Sequence, residues 1–118
     1  MQRILVIAVV VLGICDFGDL NAASDTNASV ARGRQTYTRV GCYQCHGYEA
    51  QGGAGPRLAP GPMPLEAISA FVRGTTGEMP AYGEKVLSDM DLADIYAFLT
   101  SVPRPKSPDT IPALRGLR

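Results

Sequence analysis

The segment Gly-Cys-Tyr-Gln-Cys-His-Gly at residues 41–47 holds two of the three cysteines of this 118-residue chain and its only histidine. If the segment forms a helical turn, the spacing i, i+3, i+4 places Cys42, Cys45 and His46 on one face. Two sulfur atoms then lie close together, with an imidazole beside the second. We expect the chain to fold around the group that these side chains bind.

The N-terminal segment has the layout of a secretory signal peptide. Arg3 precedes an apolar run of eleven residues, 4–14, and small residues follow at positions 22–24. We expect residues 1–24 to be a signal peptide that is cleaved near 22–24, so that the mature chain is exported to the periplasm. The apolar run is too short to cross a bilayer, and no stable membrane anchor is expected after cleavage.

Export and charge restrict the partners of the mature chain. Cys15 leaves with the signal peptide. In an oxidising compartment, Cys42 and Cys45 must then form a disulfide or bind a group. The chain has 11 basic and 11 acidic residues, and this balance gives no support to nucleic-acid binding.

Three segments have helical periodicity, and none alternates like a β-strand. We predict a first helix over residues 29–40, with Ser29 as its N-cap, and a second over residues 65–73. The third is predicted over residues 88–102, which open with the capping-box pattern Ser-x-x-Asp and carry an apolar stripe. The predicted fold class is therefore all-α.

Glycine- and proline-rich loops separate these helices, at residues 47–64 and 74–82. We expect one domain, residues 25–102, made of three or more short helices and long loops. Four prolines follow Val102, so residues 103–118 are predicted to be an extended proline-rich tail. Short helices with this much loop bury little apolar surface, which favours a bound apolar cofactor at the centre.

Three kinds of chemistry compete for the motif at residues 42–46. Covalent haem attachment uses Cys-x-x-Cys-His, with two thioether bonds to the cysteines and the histidine on the iron. A zinc site needs four ligands, and the predicted mature chain has no further Cys or His. A thiol–disulfide centre is typical of a βαβ context, which the chain lacks. The pattern favours one covalently attached haem c, with His46 on the iron.

The second axial ligand of the iron has to come from another residue type, since His46 is the only histidine. Methionine is the strongest candidate type. Three methionines follow the signal peptide: Met63, Met79 and Met90. Met79 is favoured, because the second helix can carry the chain across to the far side and Pro80 then restrains the backbone. Met63 remains the alternative, and Met90 lies in the first turn of the third helix.

The order of these motifs resembles that of a class I c-type cytochrome. The resemblance covers roughly residues 29–102 and rests on Cys-Tyr-Gln-Cys-His-Gly and three later segments. These segments are Gly-Pro-Arg-Leu at 55–58, Phe-Val-Arg-Gly-Thr-Thr-Gly-Glu-Met-Pro-Ala-Tyr at 71–82 and Asp-Leu-Ala-Asp-Ile-Tyr-Ala-Phe-Leu at 91–99. The resemblance implies a small cytochrome c fold wrapped around one covalently bound haem.

Site residues follow from the same resemblance, position by position. Cys42 and Cys45 match the thioether cysteines. His46 matches the proximal iron ligand and Met79 the distal ligand.

Two further positions complete the implied haem site. Pro56 matches the proline whose carbonyl accepts the imidazole N–H, and Leu58 matches the apolar residue packed on the haem. The family also crosses its first and last helices at a small residue, which would suit Gly33 facing Tyr96.

The implied function is single-electron transfer between redox partners, without enzymatic activity of its own. The chain would act as a soluble periplasmic shuttle or as the small acceptor subunit of a dehydrogenase. Its donor would be a dehydrogenase, and an oxidase or another protein would be its acceptor. A haem protein with a labile sixth ligand, either ligand-binding or catalytic, and a thiol–disulfide module are the alternatives.

Overall fold

A computed structural model of the chain describes residues 18–115, with side chains from residue 24 onward, and this range is helical without strands. The predicted signal peptide therefore lies largely outside the described residues. Four α-helices follow one another in the chain: α1 Gly18–Arg39, α2 Tyr43–His46, α3 Leu65–Gly74 and α4 Asp89–Ser101. The predicted all-α fold class is confirmed.

Helix α1 begins at Gly18, eleven residues before its predicted start at residue 29. Ser29 is therefore inside the helix, and its predicted role as N-cap is wrong. Residues 24–28 are exposed, so this part of the helix has no buried stripe from which its periodicity could be recognised. The predicted cleavage positions 22–24 lie within α1, and cleavage there stays a prediction.

Helices α1 and α4 cross at Gly33. A Cβ atom at this position would overlap the backbone carbonyl of Asp94 and lie 2.9 Å from the backbone nitrogen of Ile95. The small residue at the crossing is as expected, but it faces Asp94 and Ile95 rather than Tyr96. Such a close backbone approach leaves room for glycine only.

An ion pair joins the two helices beside this crossing. Arg32 donates to both carboxylate oxygens of Asp94, from Nε at 2.7 Å and from Nη2 at 3.0 Å. The hydrogen bond from Arg32 lowers the pKa of Asp94. The carboxylate therefore stays ionised at neutral pH.

The core lies between α1, α4 and the loops that follow α2 and α3. Tyr37 and Phe98 are its largest buried side chains, with 1% and 0% of their surfaces exposed. Their rings meet edge to face at 5.3 Å between centroids, an arrangement that aromatic pairs prefer. The guanidinium of Arg34 lies 4.6 Å from the centroid of Phe98 and forms two hydrogen bonds to Glu49. This stack ties the segment after the cysteine motif to both crossing helices.

Helices α3 and α4 lie close to their predicted positions. Helix α3 ends one residue after the predicted end. Helix α4 has the predicted capping box, in which the Ser88 hydroxyl accepts from the backbone N–H of Asp91 and the Asp91 carboxylate accepts from the backbone N–H of Ser88. An N-cap of this kind stabilises a helix by about 1 kcal/mol.

The proline-rich tail is almost entirely exposed, and only Ile111 is half-buried in residues 103–115. It is not extended throughout, because single turns of 3₁₀-helix form at Pro108–Thr110 and Pro112–Leu114. Proline suits the first position of such a turn, since its missing N–H would have no partner there. Within residues 18–115, no helix is long and apolar enough to cross a membrane.

Candidate haem site

The cysteine motif forms the single turn of helix α2. The backbone N–H of His46 donates to the carbonyl of Cys42 at 3.0 Å, and that of Gly47 donates to Tyr43 at 2.9 Å. Gly47 ends the turn with φ of 80°, a conformation that favours glycine. The predicted helical turn is therefore present, with the spacing that directs the three side chains to one side.

The two thiols of this turn are free. Cys42 is half-buried and Cys45 is exposed. Burial raises the pKa of the Cys42 thiol to about 11, so the thiol is protonated at neutral pH. Neither sulfur is used in a disulfide, and both remain available for thioether formation.

His46 is held by one specific hydrogen bond. Its side chain is buried, with 7% of the residue exposed, and Nδ1 lies 2.7 Å from the carbonyl oxygen of Pro56. A carbonyl oxygen only accepts, so Nδ1 carries the hydrogen and Nε2 presents its lone pair. The structure thus places Pro56 where the resemblance implies, and it prepares Nε2 to bind a metal.

Glycine at position 55 permits this contact. A Cβ atom there would lie 2.8 Å from Cε1 and 2.9 Å from Nδ1 of His46, closer than a side chain can approach. The backbone N–H of Gly55 also donates to the carbonyl of Cys45 at 2.8 Å. The loop therefore packs directly on the motif. Gly55 was not among the predicted site residues, although it directly precedes Pro56.

Two tyrosine hydroxyls hold the ends of the motif. Tyr37 of α1 donates to the carbonyl of Gly47 at 2.9 Å, and Tyr82 donates to the carbonyl of Val40 at 3.0 Å. Burial raises the pKa of both hydroxyls, which keeps them protonated as donors. Neither tyrosine was predicted as a site residue, because each hydroxyl reaches its carbonyl partner only through tertiary packing.

The three methionines differ in burial. Met79 is half-buried and packs against the core, whereas Met63 and Met90 are 54% and 76% exposed. Leu58 is half-buried and packs against the same core. Of the methionines in the described range, Met79 therefore has the environment expected of a ligand inside the fold.

These residues fit a covalently attached haem c. The chain offers two free thiols, an imidazole with its tautomer set by Pro56, and the thioether sulfur of Met79. Half-buried apolar side chains pack against the same core as Cys42 and Met79: Val40, Leu58, Leu65, Ile68 and Tyr82. Within the described residues, no group of three or more His, Cys, Asp and Glu side chains is placed to hold a bare metal ion. Cys42, Cys45 and His46 supply three of the four ligands that a structural zinc site takes, whereas their spacing is that of covalent haem attachment.

Comparison with known families agrees with this geometry. The profile of the family described as cytochrome C oxidase, cbb3-type, subunit III matches residues 28–99. The chain belongs to the class I c-type cytochromes. The cytochrome is also 33% identical over 107 residues to the 4-cresol dehydrogenase (hydroxylating) cytochrome c subunit of Pseudomonas putida. The matched stretch covers 89% of this chain and 88% of the relative. No solved structure matches significantly.

Family membership confirms several sequence-based predictions. The cytochrome has the small all-α cytochrome c fold, carries covalently attached haem c with its iron, and serves in electron transport. Its partners are redox proteins.

Proposed function

We propose that this cytochrome is an exported electron carrier, without enzymatic activity of its own, in which His46 and Met79 hold the haem iron. Residues 1–24 would be the cleaved signal peptide, residues 25–102 the cytochrome domain and residues 103–118 a tail. The mature protein would work in the periplasm. Cys42 and Cys45 would form the thioether bonds, while Pro56 and Leu58 would contact the proximal histidine and the haem.

One observation supports the ligand set above all others, the 2.7 Å contact between His46 Nδ1 and the Pro56 carbonyl. It orients the imidazole and leaves Nε2 as the metal-binding atom. A hydrogen bond of this kind also raises the basicity of the ligand. Met79 adds a half-buried thioether sulfur on the segment after α3, whereas Met63 is more than half exposed.

The proposed mechanism assigns positioning to the protein. Haem c supplies the one-electron iron couple when bound. His46 keeps one tautomer through Pro56, so its ring does not reorient when the charge of the site changes. Buried and half-buried apolar side chains would exclude water from the proposed haem site. Methionine as the second iron ligand favours the reduced state.

The proposed partner is a periplasmic dehydrogenase, and the cytochrome would be its small acceptor subunit. Support comes from the Pseudomonas putida relative, whose name describes it as the cytochrome c subunit of a hydroxylating dehydrogenase. The relative and this chain match over most of both lengths. An oxidase or another periplasmic redox protein would then take the electron onward.

The far-red absorption spectrum of the oxidised holoprotein tests this proposal. We expect a methionine-to-iron charge-transfer band in the parent and its loss in Met79→Ala. Met63→Ala is the matched control, since Met63 is an exposed methionine that follows the same motif. The control should keep the band.

Two results would contradict the proposed ligands. Loss of the band in Met63→Ala, but not in Met79→Ala, would transfer the role to Met63. A parent without the band and with rapid binding of carbon monoxide by the reduced protein would favour a ligand-binding or catalytic haem protein over a simple carrier.

A further inference from the structure

We propose that Tyr82 is a positioning residue for the Met79 loop, residues 75–82. Its hydroxyl holds this loop at a fixed separation from the Cys42–His46 turn and thereby limits how readily Met79 leaves the iron. This inference rests on the proposed ligation by Met79. It concerns the persistence of that ligand rather than its identity.

Both ends of the Met79 loop are hydrogen-bonded to helix α3. At its start, the backbone N–H of Thr75 donates to the carbonyl of Phe71 at 2.9 Å. At its end, the backbone N–H of Tyr82 donates to the carbonyl of Val72 at 3.0 Å. Both ends of the loop are thus held on the last turns of α3, and Met79 lies between them. A loop whose ends meet can still shift as a unit about this attachment.

Arg73 adds a second restraint at the same end of the loop. Its Nη1 donates to the carbonyl of Tyr82 at 2.8 Å, and its Nη2 donates to Asp89 at 2.7 Å. The Arg73 side chain is only 21% exposed and its bond to Tyr82 is part-buried, whereas the Asp89 side chain is 76% exposed. The guanidinium therefore connects the end of the Met79 loop to the first residue of α4.

The hydroxyl of Tyr82 supplies the third restraint, which connects the Met79 loop to the segment before the cysteine motif. It donates to the carbonyl of Val40 at 3.0 Å, two residues before Cys42 in the sequence. The backbone of Tyr82 belongs to the Met79 loop, while its side chain is bonded to the segment that leads into the cysteine motif. One residue therefore links the two segments that carry the proposed iron ligands.

Only two residues, Pro80 and Ala81, lie between Met79 and Tyr82, and Pro80 restricts the backbone there. A movement of Met79 away from the motif must therefore pull on the Tyr82 hydroxyl. Removal of that hydroxyl leaves both backbone attachments and Arg73 intact. It should make ligand loss easier while the loop keeps its place on α3.

The test uses Tyr82→Phe and Tyr37→Phe in the holoprotein, with carbon monoxide as the probe. Both substitutions remove a hydroxyl that makes a part-buried hydrogen bond to a backbone carbonyl beside the motif. We expect Tyr82→Phe to bind carbon monoxide about fivefold faster in the reduced state, the factor that corresponds to one net hydrogen bond. Tyr37→Phe should stay within about twofold of the parent, because the Tyr37 hydroxyl bonds the carbonyl of Gly47, which lies outside the Met79 loop.

A second pair of variants tests the same restraint through a different side chain. Arg73→Gln removes the bond to the Tyr82 carbonyl and the ion pair to Asp89, whereas Asp89→Asn weakens the ion pair alone. We expect faster carbon monoxide binding in Arg73→Gln and a rate close to the parent in Asp89→Asn. This pair keeps the inference testable if Tyr82→Phe fails to fold.

Equal acceleration in both tyrosine variants, or none in Tyr82→Phe and Arg73→Gln, would overturn the positioning role. The far-red band of the parent separates this failure from failure of the proposed ligand set. If the parent has the band and Met79→Ala lacks it, an unchanged Tyr82→Phe contradicts the positioning role alone. If the parent has no band that depends on Met79, both proposals fail.

Discussion

The Nδ1–H of His46 donates to the carbonyl oxygen of Pro56, and the two atoms lie 2.7 Å apart. The acceptor is a backbone group that does not titrate, so this restraint on the imidazole is independent of pH as long as the loop keeps its place. Gly55 makes the approach possible. Two adjacent residues of the loop thus determine the orientation of the proposed proximal ligand.

Substitution Gly55→Ala should disturb this contact, since the added Cβ would lie within 3 Å of two atoms of the His46 ring. We expect a weaker Nδ1–Pro56 bond, a less basic ligand and a higher reduction potential. Redox titration of the holoprotein measures the change. Gly74→Ala is the control, because a Cβ there meets no atom within 4 Å. An unchanged potential in Gly55→Ala would argue against tuning by this bond.

Substitution Gly33→Ala should destabilise the helix crossing. The new methyl group would overlap the Asp94 carbonyl, so α1 and α4 would have to separate. We expect a loss of about 2 kcal/mol or more in the free energy of unfolding, as measured by denaturant titration. Gln35→Ala, an exposed position on the same helix, should change it by less than about 0.5 kcal/mol. Similar values for the two variants would contradict the close approach.

Asp94 should contribute to acid sensitivity. Its pKa is lowered by the hydrogen bond from Arg32, so its contribution is complete above the unfolded-state value of about 3.9 and is lost as pH falls through the lower folded-state value. Denaturant titrations between pH 7 and pH 3 should therefore show a smaller acid-induced loss of stability in Asp94→Asn than in the parent.

The control for this pH dependence is Glu66→Gln. Glu66 is exposed on α3 and forms no ion pair with the described residues. This variant should follow the parent across the pH series. A parent-like loss of stability in Asp94→Asn would show that the ion pair to Arg32 does not govern acid sensitivity.

Deletion of residues 104–118 should leave the domain nearly as stable as before. The part of the tail that is described, residues 104–115, is exposed except at half-buried Ile111. We expect the thermal midpoint to change by less than about 3 °C. Leu99→Ala is the comparison, because Leu99 is 1% exposed and its truncation should cost about 2–5 kcal/mol. A large fall on tail deletion would indicate packing against the domain.

Local patterns of the sequence predicted much of this protein. The spacing of Cys42, Cys45 and His46 indicated a helical turn and covalent haem, since all three residues lie within one turn. The capping box at Ser88 and the periodicity of α3 placed two helices within about one residue, because those signals are contained in the helices themselves. Favouring Met79 over Met63 agrees with their burial, although ligation by Met79 stays a proposal.

Contacts between distant segments were decided only by the tertiary structure. Tyr82 meets Val40 across 42 positions, and Arg32 meets Asp94 across 62. Residues 24–28 of α1 are exposed, so they likewise contain no buried stripe from which a helix could be predicted. The spacing of residues in the sequence indicates which side chains are neighbours within one helix. The approach of Gly33 to Asp94 depends instead on how two helices cross. The residues that hold the haem motif in place therefore could be identified only from the packing of the helices.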